Sequence, residues 1–196
     1  MSKQFAMALL MLAIGTGTTT VAAHAQAATS AKPDVKPTFA MVIDRNFSNV
    51  EKEVVSAAEA MPEDKFNFAP TQGEFKGVRT FATEIKHIAV ANYALAAGIL
   101  GEKPPIELKG ENGPDNITSK ADVVKFLKDS FAYAHKAANS IDENNVLGLV
   151  QSPFGTNKVT RLGLAIGMIS HPQDHYGQMV EYLRMNDIIP PASRPH

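Results

Sequence analysis

The sequence predicts an all-α protein, a four-helix bundle with long crossover connections. Four stretches repeat apolar residues at steps of three and four, which is the spacing of one apolar stripe on a helix. Beyond residue 25, no stretch alternates apolar and polar residues as a half-buried strand does. The connections at 62–77 and 101–118 are rich in Pro, Gly and Asn. Because they are long, they permit helices to be joined across the bundle rather than only between neighbours.

The first predicted helix ends at Pro62, because proline lacks the backbone N–H that a helix needs. Its apolar stripe consists of Ile43, Phe47, Val50, Val54, Ala57 and Met61. The second predicted helix begins near Val78 and ends before Gly101 and the pair Pro104-Pro105. Its stripe consists of Phe81, Ile85, Ile88, Leu95 and Ile99.

The third predicted helix opens with Ser119 and Asp122, a capping pair in which Asp replaces the usual Glu. Its buried face is predicted to carry Val124, Leu127, Phe131, Ala134, Ala138 and Ile141. The fourth runs from about Lys158 to Asp187 and stops at Pro190-Pro191. Its main stripe is predicted to be Leu162, Ile166, Ile169, Val180 and Leu183. Four such helices bury their stripes most simply by packing against one another.

Composition limits the class of protein and of site. The chain has 196 residues, enough for one domain with a core of its own. It has no cysteine, which excludes disulfides, thiolate metal sites and a cysteine nucleophile. The formal net charge of −1 and the absence of a basic run predict no nucleic-acid partner. Any metal must therefore be bound by histidine nitrogen or carboxylate oxygen.

The first 25 residues have the pattern of a secretory signal peptide. Lys3 precedes a short apolar stretch at 5–14, and Ala23-His24-Ala25 forms an A-x-A cleavage site. We expect cleavage near Ala25 and a periplasmic or secreted protein. The alternative is an uncleaved membrane anchor, but the apolar stretch is shorter than the ~20 residues that a spanning helix needs. We therefore expect no stable membrane anchor, a disordered lead-in at 26–37 and a bundle domain at 38–193.

Three histidines form a candidate metal site. His171 and His175 are four residues apart, which places both rings on one face of a helix and is a common spacing for metal ligands. The same face carries Leu164, Met168, Met179 and Tyr182. His87 lies on the second helix, and its neighbours at turn spacing include Ala91 and Ala94. These small side chains leave room for a ligand above the His87 ring.

Two observations weigh against this interpretation. The H-x-x-x-H spacing alone is a weak motif, and a histidine near a core is more often a hydrogen-bonded structural residue. Pro172 follows His171 directly, and a proline inside a helix costs about 3 kcal/mol and disfavours helical dihedrals in the residue before it. Either the fourth helix kinks there, or a shorter helix begins at Pro172. His135 is predicted to be a surface or boundary residue.

The stretches 79–89 (RTFATEIKHIA) and 171–178 (HPQDHYGQ) resemble the DinB/YfiT-like superfamily. The following stretch 180–193 (VEYLRMNDIIPPAS) strengthens the resemblance, which extends over roughly 39–193. It implies a four-helix bundle with crossed connectivity and members that pair as homodimers through helix faces. It also implies one divalent metal ion bound by His87, His171 and His175.

Three neutral imidazoles leave at least one coordination position open, as in catalytic metal sites. Zinc, nickel, iron and manganese all accept nitrogen ligands. The resemblance permits a thiol-dependent transferase, an isomerase or a hydrolase, and export slightly favours hydrolysis because thiol cofactors are cytosolic. Glu84 is a weak candidate for a general base or a partner of the ligands, and Asp174 and Gln178 are weak candidates beside the histidine pair. For Glu84 and Asp174 taken singly, a solvated surface charge is the favoured interpretation.

Two other hypotheses stay open. The bundle can bind a metal ion or a small ligand without turnover, or its histidines can be purely structural. The sequence shows no phosphate loop, no dinucleotide fingerprint and no serine-nucleophile motif. The small-molecule substrate is therefore unknown at this stage.

Overall fold

The computed structural model describes residues 36–71 and 77–195. They contain four long helices: α1 (Phe39–Ala60), α2 (Phe81–Leu100), α3 (Lys120–Asn139) and α4 (Arg161–Met185). A short antiparallel hairpin, β1 (Leu149–Gln151) and β2 (Lys158–Thr160), lies between α3 and α4. Single 3-10 turns occur at Glu63–Lys65 and Pro191–Ser193. The predicted signal peptide and residues 26–35 of the predicted lead-in lie outside the described residues.

Each long helix begins at a hydroxyl side chain that accepts a hydrogen bond from a backbone N–H in the first turn. These N-cap residues are Thr38, Thr80, Ser119 and Thr160. The predicted capping pair is confirmed, since Ser119 Oγ accepts from the Asp122 N–H at 3.1 Å. Gly101 ends α2 with φ of 70°, a left-handed conformation that costs glycine little.

The connections cross the bundle. Helix α1 packs against α3 and α4, and α2 packs against the same two helices. Helices α1 and α2 therefore occupy opposite corners, as do α3 and α4, although each pair is consecutive in the chain. This arrangement confirms the predicted four-helix bundle with crossover connections.

Helix α2 is the most deeply buried element. Of its 20 residues, 15 are buried, including the whole predicted stripe and many alanines that let neighbouring helices approach. The predicted stripe of α1 is likewise buried throughout. In α3 the stripe is right except at its start, where Val123 rather than Val124 is buried. Among the described residues, no helix combines the length and the hydropathy needed to cross a membrane.

The predicted stripe of α4 is wrong except at Leu183, which is buried. Ile166 is 57% exposed, and Leu162, Ile169 and Val180 are only partly buried. The core face is the one that carries His175, together with Leu164, Ala165, Met168, Pro172, Met179, Tyr182 and Leu183. Helix α4 has apolar residues on more than one face, so periodicity alone could not decide which face would meet α1 and α2.

Helix α4 runs without interruption through Pro172, which is buried inside it. A separate helix beginning at Pro172 is therefore excluded, and α4 starts at Arg161 rather than at Lys158. Because the helix is continuous, His171 and His175 lie on consecutive turns of the same face.

The hairpin contradicts the expectation that the chain has no strands. Val150 pairs with Val159, and each strand has only three residues, too few for an alternating pattern to be recognised. The turn at 152–157 lies against α2. A Cβ atom on Gly98 would stand 2.9 Å from Cδ1 of Leu164 and 3.4 Å from Cδ of Pro153. The glycine thus lets both α4 and the hairpin turn approach α2.

Candidate metal centre

The three predicted histidines meet between α2 and α4. Nε2 of His171 lies 3.2 Å from Nε2 of His87 and 3.2 Å from Nε2 of His175. One nitrogen from each of the three rings lies within 4.8 Å of the others. The fold therefore brings together residues that are 84 positions apart in sequence.

Glu84 sets the protonation of the His175 ring. Its Oε1 atom is hydrogen-bonded to Nδ1 of His175. A carboxylate only accepts hydrogen bonds, so Nδ1 carries the proton and Nε2 presents a lone pair toward the other rings. Glu84 is 1% exposed, and its Oε2 atom faces Arg79 Nη1 at 4.0 Å. Such a carboxylate behind a histidine is the usual partner of a metal ligand.

A backbone carbonyl does the same for His87. Nδ1 of His87 lies 2.7 Å from the carbonyl oxygen of Glu111, in the connection between α2 and α3. Because the carbonyl can only accept, Nδ1 donates and Nε2 again presents a lone pair. Two further hydrogen bonds hold this connection in place: Arg79 Nε donates to Asn112 Oδ1 at 2.8 Å, and Lys86 Nζ donates to the Pro114 carbonyl at 3.0 Å.

The arrangement of the three Nε2 atoms fits a divalent metal ion. The lone pairs of His87 and His175 both point at Nε2 of His171, and one N–H cannot satisfy both with good geometry. Among the described residues, no hydrogen-bond partner reaches the buried Nδ1 of His171. Nitrogen ligands ~2.0–2.1 Å from a tetrahedral zinc ion stand about 3.4 Å apart. The two observed separations of 3.2 Å are close to that spacing.

The rings are also electrically suited to bind a cation. Burial, together with the neighbouring His175 and His87 rings, lowers the pKa of His171 to about 4. Burial lowers the pKa of His87 as well, against the opposing effect of its hydrogen bond to the Glu111 carbonyl. Both rings are neutral at pH 7, and a neutral imidazole is the form that coordinates metal.

The candidate acids differ from one another in position. Glu84 is buried, so its interpretation as a solvated surface charge is wrong, whereas Asp174 is exposed. The amide nitrogen of Gln178 lies 3.2 Å from Nδ1 of His175 and 3.4 Å from Oδ2 of Asp174. Glu84 therefore binds a histidine directly, whereas the Gln178 amide donates to Asp174 and only lies beside His175, whose Nδ1–H already donates to Glu84.

Two groups at the site carried no sequence signal. Arg79 precedes α2, so helical spacing does not relate it to Glu84. The Glu111 carbonyl belongs to the backbone, and any residue at that position would present the same atom. Only the path of the connecting segment brings it to His87.

His135 lies apart from the three histidines, at the boundary position that the sequence predicts. Its Nδ1 lies 2.7 Å from Asp44 Oδ1 and its Nε2 lies 3.0 Å from Glu51 Oε2, both on α1. Burial lowers its pKa, but the hydrogen bonds and charges of the two carboxylates outweigh burial and raise the pKa of His135 overall. The ring packs edge-on against Phe47. Its role is to join α3 to α1.

A cavity of about 470 Å³ opens beside His87 and His171. Ala91 and Ala94 of α2 form part of its wall, as expected from their small size. His175 does not line this cavity and is only 8% exposed. An ion between the three rings would thus be approached from the side of His87 and His171.

Comparison with known proteins identifies the family. The model of the DinB superfamily matches residues 46–179, which is more than half of the chain and includes all three histidines. The chain belongs to the DinB superfamily. The predicted superfamily is thereby confirmed. No curated protein matches this DinB protein.

The fold of this DinB protein resembles that of a solved structure. A crystal structure of a DinB-like protein from Bacillus cereus ATCC 10987 aligns with a TM-score of 0.63 at 15% sequence identity. The alignment covers 79% of this chain and 96% of that one. At such low identity the similarity establishes the fold alone, and it agrees with the crossed helical bundle described above.

Proposed function

We propose that this DinB protein binds one divalent metal ion through the Nε2 atoms of His87, His171 and His175. One observation carries the proposal. The Glu84 carboxylate and the Glu111 carbonyl each bind the far nitrogen of a histidine ring, so that both rings direct their Nε2 lone pairs toward Nε2 of His171. A cation among the three Nε2 atoms removes the conflict between the lone pairs. The donor set accepts zinc, nickel, iron or manganese.

We further propose that the protein is a metal-dependent hydrolase or transferase that acts on a small molecule. Three protein ligands leave an open coordination position, as catalytic sites require. The cavity beside His87 and His171 gives a substrate access to that position. When bound, the metal supplies a Lewis acid for polarising a carbonyl or activating a nucleophile.

Within this proposal Glu84 is a positioning residue rather than a general base. Its two oxygens face His175 and Arg79, and it does not line the cavity. It fixes the orientation and protonation of the His175 ring, while Arg79 holds the carboxylate. Gln178 and Asp174 lie beside the same ring, and the Gln178 amide donates to Asp174 Oδ2 at 3.4 Å.

A second candidate is a bundle that binds metal or a small ligand without turnover. The composition of the cavity wall favours it. Of the described residues that line the cavity, Glu111 is the only one besides the two histidines with an ionisable side chain. Its carboxylate is paired with Arg79 at 3.3 Å and is 73% exposed. A general acid or base for catalysis is therefore lacking on the described wall.

We also propose that the protein is exported and that it forms a homodimer. The signal-peptide pattern at 1–25 supports export, with the lead-in at 26–37 preceding a bundle domain at 38–193. Ile166 is an apolar side chain exposed on the outer face of α4, where a second copy could cover it. The N-terminal mass of secreted material tests export, and light scattering during gel filtration tests the dimer.

Elemental analysis tests the metal site. The wild-type protein, expressed with metals supplied, is expected to carry one metal ion per chain, and His87→Ala, His171→Ala and His175→Ala are expected to lose it. His135→Ala is the matched control, because it removes a histidine that is bound to carboxylates elsewhere. Wild-type protein without stoichiometric metal, or triad variants that retain it, would contradict the proposal.

A further inference from the structure

A second cavity of about 470 Å³ lies next to the cavity beside His87, further along α2. The two share Ala94, Leu108 and Pro153 as walls. We call their union the α2 groove. We propose that the α2 groove binds an elongated, mainly apolar small molecule that carries one metal-binding group at its end. This inference rests on the proposed metal site and adds the class of substrate.

The floor of the α2 groove is a row of small side chains. His87, Ala91, Ala94 and Gly98 follow one another at steps of three and four, so they share one face of α2. Ala91 and Ala94 line the near cavity, and Ala94 and Gly98 line the far one. Larger residues here would fill the space that a ligand needs. Each cavity is within the ~300–1,000 Å³ typical of small-molecule sites.

The roof is apolar and comes from the hairpin turn. Phe154 lines the near cavity and is 67% exposed. Folding therefore leaves most of this side chain in water, although it lines the same cavity as His87. An apolar ligand between Phe154 and Leu108 would remove apolar surface from water on both sides, at about 25 cal/mol per Å².

Beyond the group that binds the metal, charge disfavours an anionic ligand body in the near cavity. Among the described residues, no lysine or arginine lines it, and the one carboxylate that does, Glu111, already pairs with Arg79. Away from the metal, a phosphate or a second carboxylate would therefore lie without a cationic partner on the described wall. The far cavity is more polar and ends at Lys103 and at Glu102, whose carboxylate binds Lys136 and Tyr133. The body of the ligand that lies beside the histidines must therefore be uncharged.

Alkyl hydroxamates test this inference, because the hydroxamate group binds zinc and the alkyl chain can be lengthened. Calorimetric titration of the zinc-loaded chain would compare acetohydroxamate with butano-, hexano- and octanohydroxamate. Full burial strengthens binding by about fourfold per methylene. We expect at least a tenfold gain between acetohydroxamate and hexanohydroxamate. We also expect the mono-hydroxamate of succinic acid to bind more weakly than butanohydroxamate of equal length.

Variants locate the alkyl chain. Ala94→Phe is expected to bind acetohydroxamate within about twofold of wild type and to lose the gain with chain length. Phe154→Ala is expected to lose about fivefold in affinity for hexanohydroxamate, and it alters an exposed residue, so it tests the roof even if Ala94→Phe does not fold. Leu149→Ala is the matched control: it truncates a residue that is 63% exposed on the same hairpin and outside both cavities.

The outcomes separate the two proposals. Failure to bind zinc or acetohydroxamate at all would contradict the metal site itself. Normal binding of acetohydroxamate with no gain from longer chains would overturn the α2 groove alone. Tighter binding of the succinic compound would overturn the apolar class of ligand, and an equal loss in Leu149→Ala and Phe154→Ala would overturn the position of the alkyl chain.

Discussion

The Glu84 carboxylate is hydrogen-bonded to Nδ1 of His175 across the interface between α2 and α4. The carboxylate is buried, and its second oxygen faces Arg79 at 4.0 Å. The pair joins the two helices that carry the three histidines. It also determines which nitrogen of His175 presents a lone pair, so the metal-binding capacity of the site depends on a residue that is not itself a ligand.

We predict that Glu84→Gln weakens metal affinity about 10- to 100-fold, the usual effect of removing the partner of a ligating histidine. The amide keeps the shape and an acceptor oxygen but loses the negative charge that favours a bound cation. Competition with a chromophoric chelator measures the affinity. Glu181→Gln is the control, because Glu181 is an exposed acid on α4 paired with Arg184. Equal affinities for both variants would show that Glu84 does not support the site.

Removal of the metal should destabilise the protein. A ligand that binds only the native state adds about 2.7 kcal/mol when its free concentration is 100 times the dissociation constant. We therefore predict that a chelator lowers the thermal midpoint of the wild-type protein and leaves that of His175→Ala unchanged. Differential scanning calorimetry with and without chelator makes the comparison. A midpoint that is insensitive to chelator in wild type would argue for purely structural histidines.

Substitution of Gly113 should disturb the connection between α2 and α3, which presents the Glu111 carbonyl to His87. The φ of Gly113 is 73°, and an added Cβ would stand 3.1 Å from Cβ of Lys86. Gly110 has a similar φ of 70°, but an added Cβ there would meet open space. Gly110→Ala is therefore the control: it introduces the same backbone strain of about 1–2 kcal/mol without the contact with Lys86. We predict that Gly113→Ala is less stable than Gly110→Ala in urea unfolding and binds metal more weakly. Indistinguishable variants would mean that contact with Lys86 does not position the connection.

His135 should make the stability of the bundle depend on pH. Asp44 and Glu51 raise its folded pKa above the unfolded value of about 6.5. The protonated ring therefore adds stability that is complete below pH 6.5 and is lost as the pH rises through the folded pKa. We predict that the difference in unfolding free energy between wild type and His135→Asn is larger at pH 6 than at pH 9.

Urea unfolding at the two pH values measures that difference. Lys125→Gln is the control, since it breaks an exposed ion pair with Asp129 on the same helix. If wild type and His135→Asn differ in unfolding free energy by the same amount at pH 6 and pH 9, the role assigned to the two carboxylates is contradicted.

Several features of this protein follow from local sequence. Hydroxyl caps such as Ser119 and stops such as Gly101 act within one turn of a helix, so their effect can be read from a few neighbouring residues. The spacing of His171 and His175 likewise depends only on a continuous helix. The prediction of export rests on residues 1–25, and the structure does not bear on it.

Tertiary packing decided the rest. Helix α4 has more than one apolar face, and only contact with α1 and α2 selected the face with His175 over the face with Ile166. Glu84 is a buried partner of His175 because α4 packs against it. The sequence of α2 alone is equally compatible with an exposed carboxylate at this position. The Glu111 carbonyl reaches His87 through the path of a connection that no periodicity describes. Local patterns determined where the helices and the histidines lie, whereas the hydrogen bonds that prepare those histidines for a metal depend on long-range contacts between helices and a loop.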